Sequence, residues 1–466
     1  MNDPLRFPWL SASLAVLVIA ALLTWRTTET RRARRVAVTG LLIALLPLLL
    51  AYTDVLRVGE YHPEPWSSGF RLDALSAPPL SLLVALALGV CIAAPRRMVS
   101  PHWLSGILLI TATTQMAYAT ESPIILALGW GGSLVPFLVR GFFVETLPRF
   151  TKATLLASTL CLIAGLVLTK TAPTLAFGFF LGAIFLRKGL WPVHGSIVAA
   201  YEKGPLLPFA LLVNGHLGGF LVTHQVIPEL PEPARQLLPV LGLIALVTSA
   251  YTALLALVER KPRRLLAFLA ISQASFILTG LTSHSTEGIA GALIHWQVVA
   301  VSTTVLAIII AGLEARVGEG LDLRRFYGLG MAAPRLAVFF VVSGLALVGL
   351  PLTLGFCAED LLLHGTLETH ELIGVFLPIV TALNAVSLLR FFAALFLGRH
   401  GVEAQGMVDA LPRERVVLTT ALLFLVVGGI FPGIFVRLPA RAAEHLTQFI
   451  TPAPQFITPA RALELR

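Results

Sequence analysis

Apolar stretches follow one another almost without pause, each closed by glycine, proline or charge. Runs near 8–25, 36–53, 77–95, 102–119, 122–144, 150–171, 174–203, 205–226, 236–258, 262–281, 286–314, 333–365, 372–397 and 416–438 are on the scale of the ~20 residues with which a helix crosses a hydrocarbon core of ~30 Å. The strands of a membrane barrel would instead alternate over about 10 residues. The pattern predicts an all-α integral membrane fold with about fourteen transmembrane helices over 1–438. The remainder, 439–466, has scattered apolar residues and two Thr-Pro steps, and reads as a C-terminal interfacial tail that packs on a partner.

Two runs are too long for one straight helix. At 1.5 Å per residue, some 30 residues would stretch about 45 Å, and both runs carry break signals. Gly189 and Pro192 interrupt the seventh; Gly349, Pro351 and Gly355 interrupt the twelfth. Proline removes a backbone donor, so carbonyls freed near mid-membrane must be met by neighbouring helices or by water. Two discontinuous helices in corresponding places hint at an inverted internal repeat, the arrangement on which transporters build ion sites.

Composition agrees with the periodicity. Hydrophobic residues make up 56% of the 466 and charged residues 13%, against about 25% charged in soluble domains. The net charge of +9 sits in short loops and does not point to nucleic acid. Arg26, Arg31, Arg32, Arg34 and Arg35 follow the first run, Arg96 and Arg97 the third, Arg260, Lys261, Arg263 and Arg264 the ninth, and Arg316, Arg324 and Arg325 the eleventh. All follow odd-numbered runs, so the positive-inside rule puts both termini of a multi-pass inner (cytoplasmic) membrane protein on the external face. The first run lacks a basic start and a small-residue cleavage site, and reads as a retained span. Cys91, Cys161 and Cys357 lie in apolar segments without metal-ligand or disulfide spacing. No phosphate loop, nucleotide fingerprint, CxxC pair or nucleophile elbow appears. The expected cofactor and metal content is therefore none, with no catalytic site in this chain.

Ionisable groups inside the apolar runs mark where chemistry is expected, because a charge at the bilayer centre costs about 2.5–3.5 kcal/mol even on insertion scales. Arg187 and Lys188 precede the break in the seventh run, and His194 follows it. Arginine keeps its proton whereas buried lysine can exchange one, so Lys188 is the titrating member; the bland reading has both cations snorkelling to headgroups. His216, beside Asn214 in a glycine-rich run, suits a proton shuttle, while a lone histidine is more often a neutral contact hydrogen-bonded to a neighbouring helix. In the eleventh run His295 and Gln297 precede Ser302, Thr303 and Thr304, whose hydroxyls can hold water or fasten helices together. In the twelfth, Glu359 and Asp360 follow the break, where two adjacent acids in apolar surroundings do not both ionise easily; they could also cap the second half-helix. Arg140, Glu202 and Lys203 read as markers of span ends, and Asp73 as a helix cap.

Five motifs in order carry a family resemblance: FRLDALSAP from Phe70, GW at Gly129-Trp130, Pro192-x-His194 followed by Gly204-Pro205, KPRRLLAFLAISQASFILTGL from Lys261, and GLALVGLPLTLGFCAEDLLL from Gly344. Over roughly Phe70 to Gly433 the chain resembles the antiporter-like proton-translocating subunits shared by respiratory complex I, membrane-bound hydrogenases and Mrp-type cation/proton antiporters. That resemblance implies a hydrophilic axis through a glutamate in the fifth span, a lysine at the seventh-span break, histidine in the eighth, histidine and lysine in the eleventh, and lysine or glutamate in the twelfth. Carried over, these fall on Gly131, Arg187 with Lys188 adjacent, Val213 with His216 one turn on, Val299 and Thr303 with His295 on the same helix, and Glu359.

The expected proton path is thus Glu359, Lys188, Arg187, His216, His295, Asp360 and Thr303. It would lie in a membrane subunit of a multisubunit, proton-coupled complex such as an NADH:quinone oxidoreductase or hydrogenase. Partners implied are other membrane subunits, a soluble partner, the lipid bilayer, and protons or monovalent cations. Two alternatives remain open: a largely non-conducting scaffold subunit, and the membrane subunit of an energy-coupled inorganic-carbon uptake complex with a zinc-bearing soluble partner.

Overall fold

Because apolar runs in lipid must satisfy their backbone internally, nearly all of the chain is helix. The computed structural model describes residues 7–61, 69–318, 320–369, 371–399 and 406–450. Helices α1 (Trp9–Arg26) and α2 (Thr30–Val58) lead to a two-stranded ribbon, β1 (Glu60–Tyr61) and β2 (Leu72–Asp73). Then come α3 (Ala77–Ala93), α4 (Pro101–Tyr118), α5 (Pro123–Gly132), α6 (Val135–Leu138), α7 (Arg149–Leu168), α8 (Pro173–Lys188) and α9 (Gly195–Lys203). A third group is α10 (Leu206–Asn214), α11 (Leu217–Leu221), a π-helical turn, α12 (Ile227–Glu229), α13 (Pro231–Val258), α14 (Pro262–Leu281) and α15 (Thr286–Val317). The chain continues through α16 (Pro334–Leu347), α17 (Leu354–Thr369), α18 (Glu371–Phe396), α19 (Pro412–Ile430) and α20 (Pro432–Ile450). Helix therefore occupies every apolar run read from the sequence.

Among the described residues eight helical runs are long and apolar enough to cross a membrane, and α19 with α20, bent by 79°, makes a ninth if taken as one span. Ala77–Ala93, Pro123–Leu138 and Pro334–Leu347 are shorter apolar helices. The innermost pillar is α15, in which every residue from Gly288 to Glu314 is buried; α14 is buried without interruption from Leu265 to Leu281. Outer helices instead show one apolar face: Leu42, Leu160, Val247 and Ile379 are each at least half exposed, as expected where lipid rather than water is the solvent.

The arginines that follow odd-numbered runs gather at one end of the bundle. There Arg263 meets Glu314 at 2.8 Å, Arg316 meets Glu414 at 2.5 Å, Arg264 meets Glu259 at 2.8 Å and Lys261 meets Glu202 at 2.6 Å. At the other end Arg71 joins Glu60 at 2.8 Å to Glu121 at 2.5 Å. Asp73 there accepts hydrogen bonds from the backbone of Leu75 and Ser76, closing the turn that precedes α3; it does not cap the helix, whose N-cap is Ser76.

Helix ends fall where the break signals stand. Gly189 takes a left-handed φ of +66° directly after Lys188, and helix resumes at Gly195. Between α16 and α17, Gly349 has φ +73°. Gly355, expected at that break, lies inside α17 instead: a Cβ there would stand 1.8 Å from the Ala346 carbonyl, so its role is close approach. A further interruption was not anticipated, at Gly215-His216, where His216 has φ +44° and a π turn over Val222–Val226 follows. Helix α20 begins at Pro432 and so crosses the 438/439 boundary. Leu438, Ala442, Leu446 and Ile450 form its buried stripe, and Thr447 and the carbonyls of Phe449 and Ile450 meet Thr286 of α15 and Arg235 of α13. Up to Ile450 the surface it packs on is this chain's own; 451–466 lie outside the described residues.

Candidate functional site

The αL cap at Gly189 ends α8 so that its last turn, carrying Arg187 and Lys188, stops in the interior. Both side chains are 5% exposed, so neither snorkels. Arg187 donates to the Ser133 hydroxyl at 2.7 Å and the Trp130 carbonyl at 3.3 Å, with its guanidinium 4.8 Å from the Trp130 ring centre. These are neutral acceptors plus a ring face. Among the described residues no carboxylate meets Arg187, and Gly131, the position the resemblance gives to glutamate, offers no side chain. Arginine here is a fixed charge.

Lys188 and His216 are brought together. Nζ stands 2.5 Å from His216 Nδ1, across from the turn that ends α10. The positive φ of His216 turns its ring back toward α8, and His216 is 1% exposed. Gly218 gives the lysine stem its room, for a Cβ there would lie 2.7 Å from Lys188 Cγ. One proton between two basic nitrogens can reside on either, which is what a relay requires. The other ring nitrogen of His216 has no hydrogen-bond partner among the described residues. Beside Arg187 and Lys188 is an enclosed space of about 10 Å³, enough for about one water.

Beyond this pair aromatic rings and polar groups alternate. Trp296 packs edge-on against His216 at 5.6 Å. Next on α15, His295 is fully buried with Nε2 2.8 Å from Gln273 Oε1 on α14, while His295 Nδ1 and Gln273 Nε2 have no hydrogen-bond partner among the described residues. Phe276 then stands 6.1 Å from the His295 ring and also lines the cleft that holds Glu359. That cleft, about 320 Å³, lies between α14, α17, α18 and the turn after α16. Glu359 Oε2 lies 3.5 Å from Thr381, and Oε1 has no hydrogen-bond partner among the described residues. Gly349 makes way for the carboxylate, since a Cβ there would come within 2.6 Å of Oε2. Gly349 and Gly218 thus shape the pockets of Glu359 and Lys188, while Gly189 makes room for Ile197.

Two residues expected on the path stand differently. Thr303 is buried off the row in a closed set, its hydroxyl 2.9 Å from Asn214 Oδ1, while Asn214 Nδ2 donates to Thr304 at 2.8 Å. This fastens α10 to α15, the interhelical reading of those hydroxyls. Asp360 lies at the open edge of the same cleft beside His364 at 3.6 Å, with its side chain 53% exposed, because successive helix residues lie about 100° apart and Asp360 is turned outward from Glu359. Sequence reasoning missed Ser133, Gln273 and Thr381. Only Gln273 left a signal, as the amide of a Ser-Gln-Ala-Ser polar run inside an otherwise apolar helix.

The family model described as NADH:quinone oxidoreductase/Mrp antiporter, TM matches residues 104–384. An NAD(P)H-quinone oxidoreductase chain 4 of Synechococcus sp. (strain JA-3-3Ab) is 26% identical over 95% of both chains. NADH-quinone oxidoreductase subunit M of Mycobacterium tuberculosis is 27% identical over 62% of this chain and 54% of its own. Among solved structures, a chain of respiratory complex I from Thermus thermophilus superposes with TM-score 0.83 at 22% identity, covering 95% of this chain and all of that one. A chain of the Mrp complex from Dietzia sp. DQ12-45-1b gives 0.81 at 20% identity over 95% and 99%.

Proposed function

Because the chain belongs to the NADH:quinone oxidoreductase/Mrp antiporter transmembrane family, we propose that it is a proton-conducting membrane subunit of a multisubunit complex. The observation that carries this reading is the buried contact between Lys188 and His216, two exchangeable basic groups facing each other at helix interruptions. A protein with only a scaffolding role would gain nothing from enclosing them, since isolated ionisable groups in the bilayer are costly. The path runs from Lys188 through His216, His295 and Gln273 to Glu359, with Arg187 a fixed neighbouring charge that biases the first step. Asp360 stands at the outer mouth of the Glu359 cleft, and Thr303 braces the helices on which the path is built.

In the membrane, α8 with α9 and α16 with α17 each count as one interrupted span, which gives fourteen. The arginine-rich end faces the cytoplasm and both termini the outside, as the positive-inside rule requires. Residues 439–450 of α20 lie along the interface, where a helix with one apolar stripe is stable. Partners are other membrane subunits and a soluble redox or energy-supplying subunit; the moving ions are protons or monovalent cations, and the redox chemistry is theirs rather than this chain's.

A second reading, the scaffold, is favoured by one set of observations. Four of the charge positions that the family resemblance implies are Gly131, Val213, Val299 and Thr303, and the rings of Trp296 and Phe276 separate the remaining polar groups. Assembling the intact complex with His216→Leu and, separately, Glu359→Gln decides between them. Conduction predicts that proton movement per turnover falls at least tenfold in both variants while the complex still assembles. Unchanged coupling in both would leave the scaffold.

A further inference from the structure

At the end of the bundle where Arg263, Arg264 and Arg316 pair with glutamates, other arginines have no such partner. Arg31, Arg34 and Arg35 from the first turns of α2, Arg96 from the short turn after α3 and Arg413 from the first turn of α19 converge on one open pocket of about 570 Å³. No carboxylate lines it. Glu29 is exposed and stands outside the lining, and Glu414, beside Arg413, is held by Arg316 at 2.5 Å. Arg31, Arg35, Arg96 and Arg413 make no side-chain hydrogen bond or ion pair among the described residues, and the Nε atoms of Arg34 and Arg413 are buried without a partner there. Arg34 is anchored by a 3.0 Å bond from Nη2 to the Ala94 carbonyl. Helix α2 opens without a side-chain cap, so N–H groups of its first turn, beginning at Thr30 on the pocket wall, are also available to an anion. Orientation in the membrane asks only that basic residues stand in the loops. It does not ask that three distant parts of the chain gather them round one hollow, where like charges repel until a counter-charge fills it.

The pocket continues into an apolar stripe. Arg31, Arg35, Val38, Leu42, Leu45 and Leu49 follow at intervals of three or four and so share one face of α2. Val38 lines the pocket, while Leu42 is 52% and Leu49 46% exposed. At 1.5 Å per residue the stripe from Val38 to Leu49 is about 17 Å long, close to one leaflet's half of a hydrocarbon core of ~30 Å. We propose that this pocket holds the phosphate headgroup of an anionic phospholipid from the leaflet at the arginine end, with the acyl chains lying along this stripe of α2. Guanidinium forks match phosphate oxygens in pairs, and a basic hollow between helices at headgroup level is suited to such lipids. Free phosphate shares the headgroup chemistry but has no use for the stripe. The inference rests on the chain's placement in a membrane and is independent of conduction.

Photocrosslinking in the intact complex tests this, because it reads the pocket apart from other lipid contacts. Phosphatidylglycerol with a photoactivatable headgroup is compared with phosphatidylcholine bearing the same group and the same chains, and crosslinked peptides are mapped by mass spectrometry. The proposal expects the segment 30–39 to crosslink at least tenfold more with phosphatidylglycerol. Unlabelled phosphatidylglycerol should compete, whereas inorganic phosphate or glycerol phosphate at the same concentration should not. Arg35→Gln with Arg413→Gln, and separately Arg31→Gln with Arg96→Gln, remove side chains without hydrogen-bond partners, and each pair should cut the crosslink at least fivefold. Arg324→Gln with Arg325→Gln, exposed and outside the pocket lining, should leave it unchanged. Equal crosslinking by the two lipids, or an unchanged crosslink in both pocket variants, would overturn the proposal. Equal competition by inorganic phosphate would also overturn it and make the ligand a free anion. Absence of the crosslink in the parent would overturn it as well, and loss of a copurifying subunit from both pocket variants would then assign the pocket to an acidic protein surface. None of these outcomes bears on conduction, and loss of conduction bears on none of them.

Discussion

Two adjacent glycines of α11 should respond oppositely to the same added methyl group. At Gly219 an added Cβ would meet Trp296 at 3.4 Å, an ordinary contact; at Gly218 it would stand 2.7 Å from Lys188 Cγ and 3.1 Å from Cδ. Glycine to alanine inside a helix gains about 0.8–1 kcal/mol from propensity alone, so Gly219→Ala should be neutral or stabilising. In Gly218→Ala the lysine stem must move by about 0.7 Å or more to restore normal contact, and overpacking of this kind costs about 1–3 kcal/mol. The two variants should thus differ by about 1–3 kcal/mol in stability. The functional difference should be larger, because the displaced stem draws Nζ away from His216. The assay is the apparent unfolding midpoint of the purified complex, followed by proton movement per turnover in vesicles. Gly219→Ala should match the parent in both; Gly218→Ala should melt several degrees lower and lose most proton movement. Equal behaviour of the pair would refute the placement of Lys188 against α11, and with it the contact on which the relay depends.

Three other perturbations have signs fixed by the geometry. Ser133→Ala removes a 2.7 Å acceptor from a guanidinium that is 5% exposed, and should destabilise by about 1.5–3 kcal/mol, the worth of a hydrogen bond to a charged group, read as a lowered melting midpoint. Arg316→Ala strips Glu414, whose side chain is 4% exposed, of its 2.5 Å ion pair and leaves it the Leu411 N–H; breaking a buried pair costs up to about 3–5 kcal/mol, so thermal denaturation should show a larger loss than for Arg335→Ala, a 58% exposed side chain 4.0 Å from Asp409. Glu259 lies just outside α13, and burial pushes its carboxyl up, yet the Arg264 guanidinium and the N–H groups of Arg260 and Lys261 outweigh burial and hold it below the ordinary range. A depressed carboxylate contributes stability that is complete above its unfolded value of about 4.3 and is lost as pH falls through the lower folded value. Glu259→Gln should therefore flatten the fall in melting midpoint below pH about 4.3 while lowering the midpoint at neutrality.

Much of the architecture was legible because lipid imposes a simple rule: apolar length means helix, and glycine or proline inside it means interruption. Gly189 and Gly349 announced their breaks, and the basic loops announced which ends meet. The relay was legible only as parts. Lys188 and His216 lie 28 residues apart, and what joins them is the backbone turn at His216, a left-handed conformation that non-glycine residues adopt rarely and that no pattern of hydropathy encodes. Asn214-Gly215-His216-Leu217-Gly218-Gly219 shows glycines enough for a break, yet the same glycines also serve close packing, so the run alone was ambiguous. Partners of buried cations were hidden for a different reason. Ser133 and Gln273 are common residues whose meaning comes only from what the fold sets opposite them. Glu359 and Asp360 line one cleft, yet adjacency in sequence did not reveal that one carboxylate would turn into the protein and the other outward, a difference that follows from the ~100° between successive helix residues.

The central claim is that the proton on the Lys188–His216 pair moves during turnover, and Lys188→Met tests it most directly, since methionine keeps the unbranched apolar stem and removes the ammonium. Proton translocation is measured with a pH-sensitive dye in sealed vesicles carrying the intact complex, alongside Lys188→Arg, which keeps the charge but cannot release it. The account predicts that both variants assemble and that both lose proton movement per turnover by at least tenfold. Normal proton movement in Lys188→Met, with the complex assembled, would contradict it.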